Sequence, residues 1–187
     1  MKRDDYVRIL DYLPKGKSEV PPHKRKPLAQ AVGDKFFSLL ELSPREGIVL
    51  EQGVKEYIGE GSRDRIDHIE RRIKYDWLTP TAKSELPVVL KTIVLENEQK
   101  FMEFYNTAGT ISTRQHKLEC LPKIGKRHRE EMLAEREAQP FKDFEDMKAR
   151  LTSIPDPAKV IVDKIVEELK GESKYYLFVQ LFEEKHR

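Results

Sequence analysis

Between Leu118 and Arg136 the chain reads LECLPKIGKRHREEMLAER, and four cations, Lys123, Lys126, Arg127 and Arg129, crowd one short stretch of it. Leu118 and Leu121 close a short helix, Pro122-Lys123-Ile124-Gly125 forms a tight turn, and Met132, Leu133 and Arg136 lie on a second helix. Pro122 stops the first helix, and Gly125 is expected to take a backbone position that other residues resist. The cations gather at the start of the second helix, where the macrodipole already supplies partial positive charge and unpaired N–H groups. Exposed cations there cost about 0.3 to 1 kcal/mol each. An anion resting on that helix start reverses the sign, because N–H groups and side chains converge on it, and phosphate is the obvious candidate.

Other residue types that could carry chemistry lack the spacing for it. His23, His68, His116, His128 and His186 are scattered without zinc-ligand spacing. Asp143, Glu145 and Asp146 sit together at a helix start, where acids are expected on electrostatic grounds, so they do not announce a metal nuclease. Asp156 precedes Pro157 in a turn and does not resemble a glycosylase aspartate. Cys120, the single cysteine, has no base that can be placed beside it and is read as a small buried side chain. No catalytic residue, metal site or cofactor is therefore assigned.

The turn is similar to a helix-hairpin-helix motif, in which an apolar residue, Pro, Gly, an apolar residue and Gly precede a basic second helix. Leu121, Pro122, Ile124, Gly125 and Lys126 fit, as do Leu133 and Arg136. Lys123 departs, since the motif usually carries Gly there. A positive φ at that place would make lysine costly; otherwise the residue simply adds a cation that faces phosphate.

These elements are set in 187 residues of 38% hydrophobic content, enough for one large domain or two small ones, and two are expected. The net charge of +2, from 35 Lys and Arg against 33 Asp and Glu, does not itself announce a polyanion partner, so any nucleic-acid surface must come from local segregation. No apolar run reaches transmembrane length, and the start MKRDDYVRIL lacks the apolar core of a signal peptide, so a cytoplasmic protein with no membrane partner is expected.

The first third reads as strands separated by Gly and Pro turns: Tyr6 to Leu13, Leu28 to Val32, Phe36 to Leu42, Ile48 to Leu50 and Val54 to Ile58. About five short strands suggest a small barrel, OB-like by preference, with an SH3-like barrel left open. Tyr12, Phe36, Phe37 and Tyr57 are candidate stacking residues for single-stranded bases, or core. A Pro-rich loop carries Lys24, Arg25 and Lys26. From Ser62 the period is read as helical, with Ile66, Ile69 and Ile73 on one face and Arg63, Arg65, Arg71, Arg72 and Lys74 largely elsewhere, which makes a basic helix face. A helix starting at Thr79-Pro80 is expected to be interrupted at Leu86-Pro87 and followed by a long run from Val88 to about Tyr105. Ser112 or Thr113 is the expected cap of the first hairpin helix. Phe144 to Leu151 forms a connecting helix, and Ile154-Pro155-Asp156-Pro157 leads into a helix over Ala158 to Leu169, which reads as a second, degenerate hairpin of structural role. Lys174 to Phe182 is left open between strand and short helix.

Over nearly its full length the chain resembles an archaeal family of unknown function, DUF655, predicted to bind nucleic acid. Leu39-Leu40-Glu41, Tyr57-Ile58-Gly59, Arg63-Asp64, Leu78-Thr79, Phe104-Tyr105-Asn106, Leu121-Pro122, Ile124-Gly125 and Phe141 carry the resemblance. It implies an α+β chain with an OB-like barrel at 1–60, a helical linker at 61–108 and an all-α tandem helix-hairpin-helix domain at 109–187. The leading expectation is a non-catalytic nucleic-acid-binding protein that grips the sugar-phosphate backbone, with RNA favoured over DNA by the resemblance alone. Its contacts are expected from Pro122, Lys123, Ile124, Gly125, Lys126, Arg127 and Arg129, from Lys24, Arg25 and Lys26, and from Arg63, Arg65, Arg71 and Arg72. The alternatives are a protein-interaction scaffold of a ribosome- or repair-associated complex and, third, a DNA-processing enzyme.

Overall fold

A computed structural model describes residues 3–180. The chain is mixed α+β and divides into two compact units, one running to Val89 and resuming at Glu168, the other spanning Leu90–Glu167.

The first unit holds five antiparallel strands, β1 (Tyr6–Leu13), β2 (Leu28–Gly33), β3 (Leu39–Pro44), β4 (Lys55–Tyr57) and β5 (Ile66–Arg72), in the order β4-β1-β2-β3-β5. The sheet curls into a half-barrel. Side chains alternate across a strand, so Val7 and Ile9, Ala29 and Ala31, and Leu40 and Leu42 point to one side and pack with Leu50, Ile58 and Ile66 as one apolar cluster. A bulge at Leu10, where Ile9 pairs Ala31 and Asp11 pairs Gln30, adds twist to β1. On the sheet's other side the fully buried Gln30 donates to Trp77 O at 2.9 Å and accepts from Thr79 N at 2.8 Å, while Thr79 Oγ1 donates to Asp11 at 2.6 Å. The segment that follows β5 is thereby fastened onto the sheet.

The basic helix expected from Ser62 is strand β5. Strand β5 is bulged twice, since Leu42 pairs Ile69 while Glu41 pairs Arg71, and Ser43 pairs His68 while Pro44 pairs Ile66. The bulge at Asp67 sets Ile66 and Ile69 three apart on one face, and the bulge at Glu70 turns Ile73, whose N–H donates to Leu39 O at 2.9 Å, to the other. The extra residues Glu70 and Asp67 shift the apolar positions away from strict alternation. Ile48 to Leu50 is not a strand, although Leu50 is core. Phe36 and Phe37 precede β3 rather than belonging to it, and Phe37 is fully buried.

Helix α1 (Pro80–Glu96) runs through Pro87 without the expected interruption. Its buried stripe of Ala82, Leu86, Val89, Leu90, Ile93 and Val94 continues on both sides of an exposed proline. The lost backbone hydrogen bond is outweighed by that apolar burial. Helix α2 (Glu98–Thr107), a ribbon of β6 (Thr110–Ser112) and β7 (Gln115–His116), helices α3 (Lys126–Ala138) and α4 (Phe144–Arg150), and α5 (Pro157–Lys170) complete the described chain. Phe101, Met102, Tyr105, Leu118, Leu121, Met132, Phe144, Met147, Ile161 and Ile165 are buried in the second unit, and Tyr105 Oη donates to Pro157 O at 2.9 Å. Lys174 to Gln180 forms bends, neither strand nor helix, and residues 181 and 182 of that run lie outside the described residues.

Candidate nucleic-acid interface

A 3-10 turn at Lys117–Cys120 enters the hairpin, and its cap is His116 rather than Ser112 or Thr113, which lie on and just after β6. His116 Nδ1 accepts from Leu118 N at 3.1 Å, and Glu119 accepts from His116 N at 3.3 Å. Only neutral imidazole can accept at Nδ1. Burial, and after it the positive charges of Arg136 and Arg129, hold the His116 pKa below its ordinary 6.5. The unfolded chain therefore binds this proton more readily, so the stability that the neutral ring supplies is complete above about pH 6.5 and is lost as pH falls through the lower folded value. His116→Asn keeps a capping side chain that does not titrate. Thermal melting between about pH 7 and pH 5 is expected to show a steeper loss for the wild type than for that variant, and parallel curves would remove His116 from the account.

Leu118, Leu121, Ile124 and Met132 are buried and fix the turn from the inside, and Ile124 N donates to Leu121 O at 3.2 Å. The positive φ of the turn, 63°, belongs to Lys123. Gly125 is extended, with φ −98° and ψ −175°, and a Cβ there would meet nothing within 4 Å, so the expectation placed on Gly125 is corrected. His128 Nδ1 lies 3.1 Å from Lys123 O, and since a carbonyl only accepts, that nitrogen carries the proton and secures the strained residue. A left-handed conformation costs a non-glycine residue roughly 1 kcal/mol. Lys123→Gly should raise stability by about 0.5 to 1 kcal/mol in denaturant melts while removing one exposed cation. A loss of stability would mean that the lysine side chain packs.

Gly125 gives helix α3 no side-chain cap, so the N–H groups of its first turn face outward. Lys123, Lys126 and Arg127 are exposed, and among the described residues no acidic side chain pairs with them. Arg129 is different, for it is half-buried and held by Glu119 and Glu130 at 3.2 Å each. Pro122, the first residue of the turn, is half-buried. The second hairpin makes the contrast: Asp156 accepts from Ala158 N at 2.9 Å and Lys159 N at 3.4 Å, so the start of α5 already carries an anion. Cys120 is half-buried, donates to His116 O, and has its pKa pushed up by burial.

The four arginines expected on one basic face are dispersed among separate partners. Arg63 donates to Gly59 O at 3.0 Å, Arg65 lies 3.2 Å from Glu56 and donates to Val49 O, Arg71 meets Glu41 at 2.7 Å, and Arg72 donates to Gln180 O at 2.7 Å. A concavity of the first unit, ≈ 660 Å³, is lined by Tyr6, Tyr57 and Ile69, and its Arg3, Arg63 and Arg72 are matched by Asp4, Asp5 and Glu60. In the Pro-rich loop Lys24 and Lys26 are exposed, whereas Arg25 reaches back to Val20 O at 2.7 Å and Ser18 O at 2.8 Å and stiffens the loop. Of the proposed stacking residues, Tyr12 is half-buried with its hydroxyl on Ile48 O at 3.2 Å, and Tyr57 packs edge-on against Tyr6. Sequence reasoning passed over Trp77, 47% exposed and the chain's single tryptophan. The signal in the sequence is a lone Trp three residues after Lys74 and close behind Arg71 and Arg72.

Among the described residues no group of three or more His, Cys, Asp and Glu is placed to hold a metal ion, and no helix is long and apolar enough to cross a membrane. The model of the family described as "Protein of unknown function (DUF655)" matches residues 3–180. The uncharacterized protein MJ0038 of Methanocaldococcus jannaschii is 41% identical over 181 residues, 96% of this chain and 81% of that protein. The crystal structure of Af1531 from Archaeoglobus fulgidus is similar with a TM-score of 0.89 and 42% identity, and the match covers 95% of this chain and all of that one.

Proposed function

We propose that this chain, which belongs to the DUF655 family, is a non-catalytic nucleic-acid-binding protein that grips the sugar-phosphate backbone, RNA in preference to DNA. In this reading the curled sheet is an OB-like half-barrel and the turn at Pro122 to Gly125 is a helix-hairpin-helix element.

The observation that carries the proposal is the difference between two helix starts. Helix α5 is neutralised by Asp156, whereas α3 has no side-chain cap, a turn pinned at a positive φ, and three exposed cations without acidic partners. Such an arrangement is electrostatically costly alone and favourable with a phosphate in place. The non-catalytic reading draws support from the carboxylates that could have served a nuclease, since each has structural work. Asp143 caps α4 through Asp146 N at 2.7 Å, Glu145 pairs with Lys148 at 2.7 Å, and Asp146 pairs with Arg150 at 3.2 Å. The Asp146 pKa is lowered first by the hydrogen bond from Lys142 N and then by Arg150, so this carboxylate stays charged and engaged. The preference for RNA rests on the family resemblance.

The test is fluorescence anisotropy of duplex RNA, duplex DNA and single-stranded RNA over a salt series, with wild type and with Lys123, Lys126 and Arg127 all changed to Ala. Binding whose log-log salt slope shrinks in the variant supports the proposal. No binding by the wild type, or equal binding by a folded variant, defeats it.

A further inference from the structure

We propose that Trp77 and the basic cleft beside it form a second nucleic-acid site, on the first unit, for one nucleotide of a single strand: the base stacks on the indole and the flanking phosphates meet Lys24 and Lys26. This extends the nucleic-acid reading but uses none of the hairpin residues.

The cleft, of ≈ 380 Å³, lies among the Pro-rich loop, β3 and the edge strand β5. Lys17, Lys24, Arg25, Lys26 and Arg71 line it against two carboxylates, Glu41 and Glu70. Both carboxylates are already engaged. Glu41, 2% exposed, takes Lys17, Arg71 at 2.7 Å and Gln30 at 3.2 Å, and Glu70 takes the Ser43 hydroxyl and His68 at 2.9 Å. Burial works to raise the Glu41 pKa, yet the hydrogen bonds from Lys17, Arg71 and Gln30 outweigh it and keep the carboxyl below the usual range. Glu41 is thus ionised and offsets one of the cations, and the excess comes from the lining itself, five cations against two carboxylates.

Trp77 is joined to this cleft by Arg71, which lines it, and by Gln30, which bonds to its Glu41. Arg71 stands 5.0 Å from the indole centroid, and Gln30 bridges Glu41 to the Trp77 carbonyl. The tryptophan backbone is also fixed by its N–H on Lys74 O at 3.0 Å. A half-exposed indole on a fixed backbone therefore stands against Arg71, a cation of the cleft that the stiffened loop also lines, and no acidic side chain pairs with Lys24 or Lys26 among the described residues. Charge complementarity selects a polyanion, and an aromatic face beside cations selects one whose bases are unpaired and free to stack. A duplex hides those faces.

Trp77 is the only tryptophan, so its emission reports this place alone. The full chain is titrated with a dye-labelled 12-nucleotide single-stranded RNA and with an RNA duplex, and anisotropy and tryptophan emission are followed together. Saturable quenching by the single strand, in step with anisotropy and retained when Lys123, Lys126 and Arg127 are Ala, supports the site. Trp77→Leu should then weaken single-strand binding by about tenfold while Trp77→Phe largely keeps it, and duplex binding should not change. If the single strand binds with unchanged emission and Trp77→Leu binds as wild type does, this inference is overturned and the hairpin reading stands. If quenching persists while the hairpin variant binds every ligand as wild type does, the hairpin reading fails and this one stands. Absence of binding to any oligonucleotide overturns both.

Discussion

Changing Lys123, Lys126 and Arg127 together to Ala should weaken nucleic-acid binding by about a hundredfold near 0.15 M salt and flatten the log-log salt dependence by about two to three. The magnitude follows from counterion release, in which each phosphate neutralised on a duplex contributes about 0.9 to the slope. All three side chains are exposed and lack acidic partners among the described residues, so their removal leaves no buried charge behind. Folding should even gain slightly, since cations at a helix start are unfavourable by about 0.3 to 1 kcal/mol each. Opposite signs for binding and for stability are what distinguish a ligand site from a structural cluster. A variant that bound weakly with an unaltered slope, or that melted early, would contradict the assignment.

The second large effect concerns Glu168, near the end of α5, which is 2% exposed. Its carboxylate accepts from Leu177 N at 2.6 Å, Phe178 N at 3.0 Å and Val179 N at 2.8 Å. Gly171, at φ 76°, ends the helix and turns the chain back toward that carboxylate. Hydrogen bonds to a charged acceptor contribute about 1.5 to 3 kcal/mol each, and donors left buried without a partner are costly. Glu168→Ala is expected to destabilise the first unit by about 3 to 5 kcal/mol, in the range for removing a buried charged partner. Hydrogen exchange at Leu177, Phe178 and Val179 should rise by orders of magnitude even where the rest of the unit stays protected. Continued protection of those three amides would show that packing alone holds the segment.

How far the sequence could be read depended on whether local pattern and tertiary environment agreed. Strand β1 was legible to both ends, because Val7 and Ile9 alternate with Arg8 and a Pro14-Lys15-Gly16 turn follows. The family was legible from motifs spread along the chain. Strand β5 was not, because two bulges break its alternation and leave isoleucines of the two sheet faces at a spacing that looks helical, and only its pairing with β3 reveals this. Pro87 misled for the reverse reason: its local cost is real, but a long buried stripe overrides it. Within the hairpin, the cation cluster and the apolar anchors Leu121 and Ile124 could be read directly. The place of the positive φ was only half legible: the motif's usual Gly raised it at Lys123 as one of two alternatives, while Gly125 looked the natural carrier by residue type. Likewise Arg63, Arg65, Arg71 and Arg72 look alike as a run of basic letters, and only the fold gives each a different acceptor.

The first unit breaks off at Val89 and resumes at Glu168. Synthesis is vectorial, so the five strands leave the ribosome well before the segment that Glu168 binds. At about 5 to 20 residues per second, the interval between the two pieces is roughly 4 to 16 s. During that time the nascent sheet must persist without its last contacts, whereas the intervening unit, continuous in sequence, can close as soon as it emerges. Birth order and completion order are therefore reversed: what is made first is finished last.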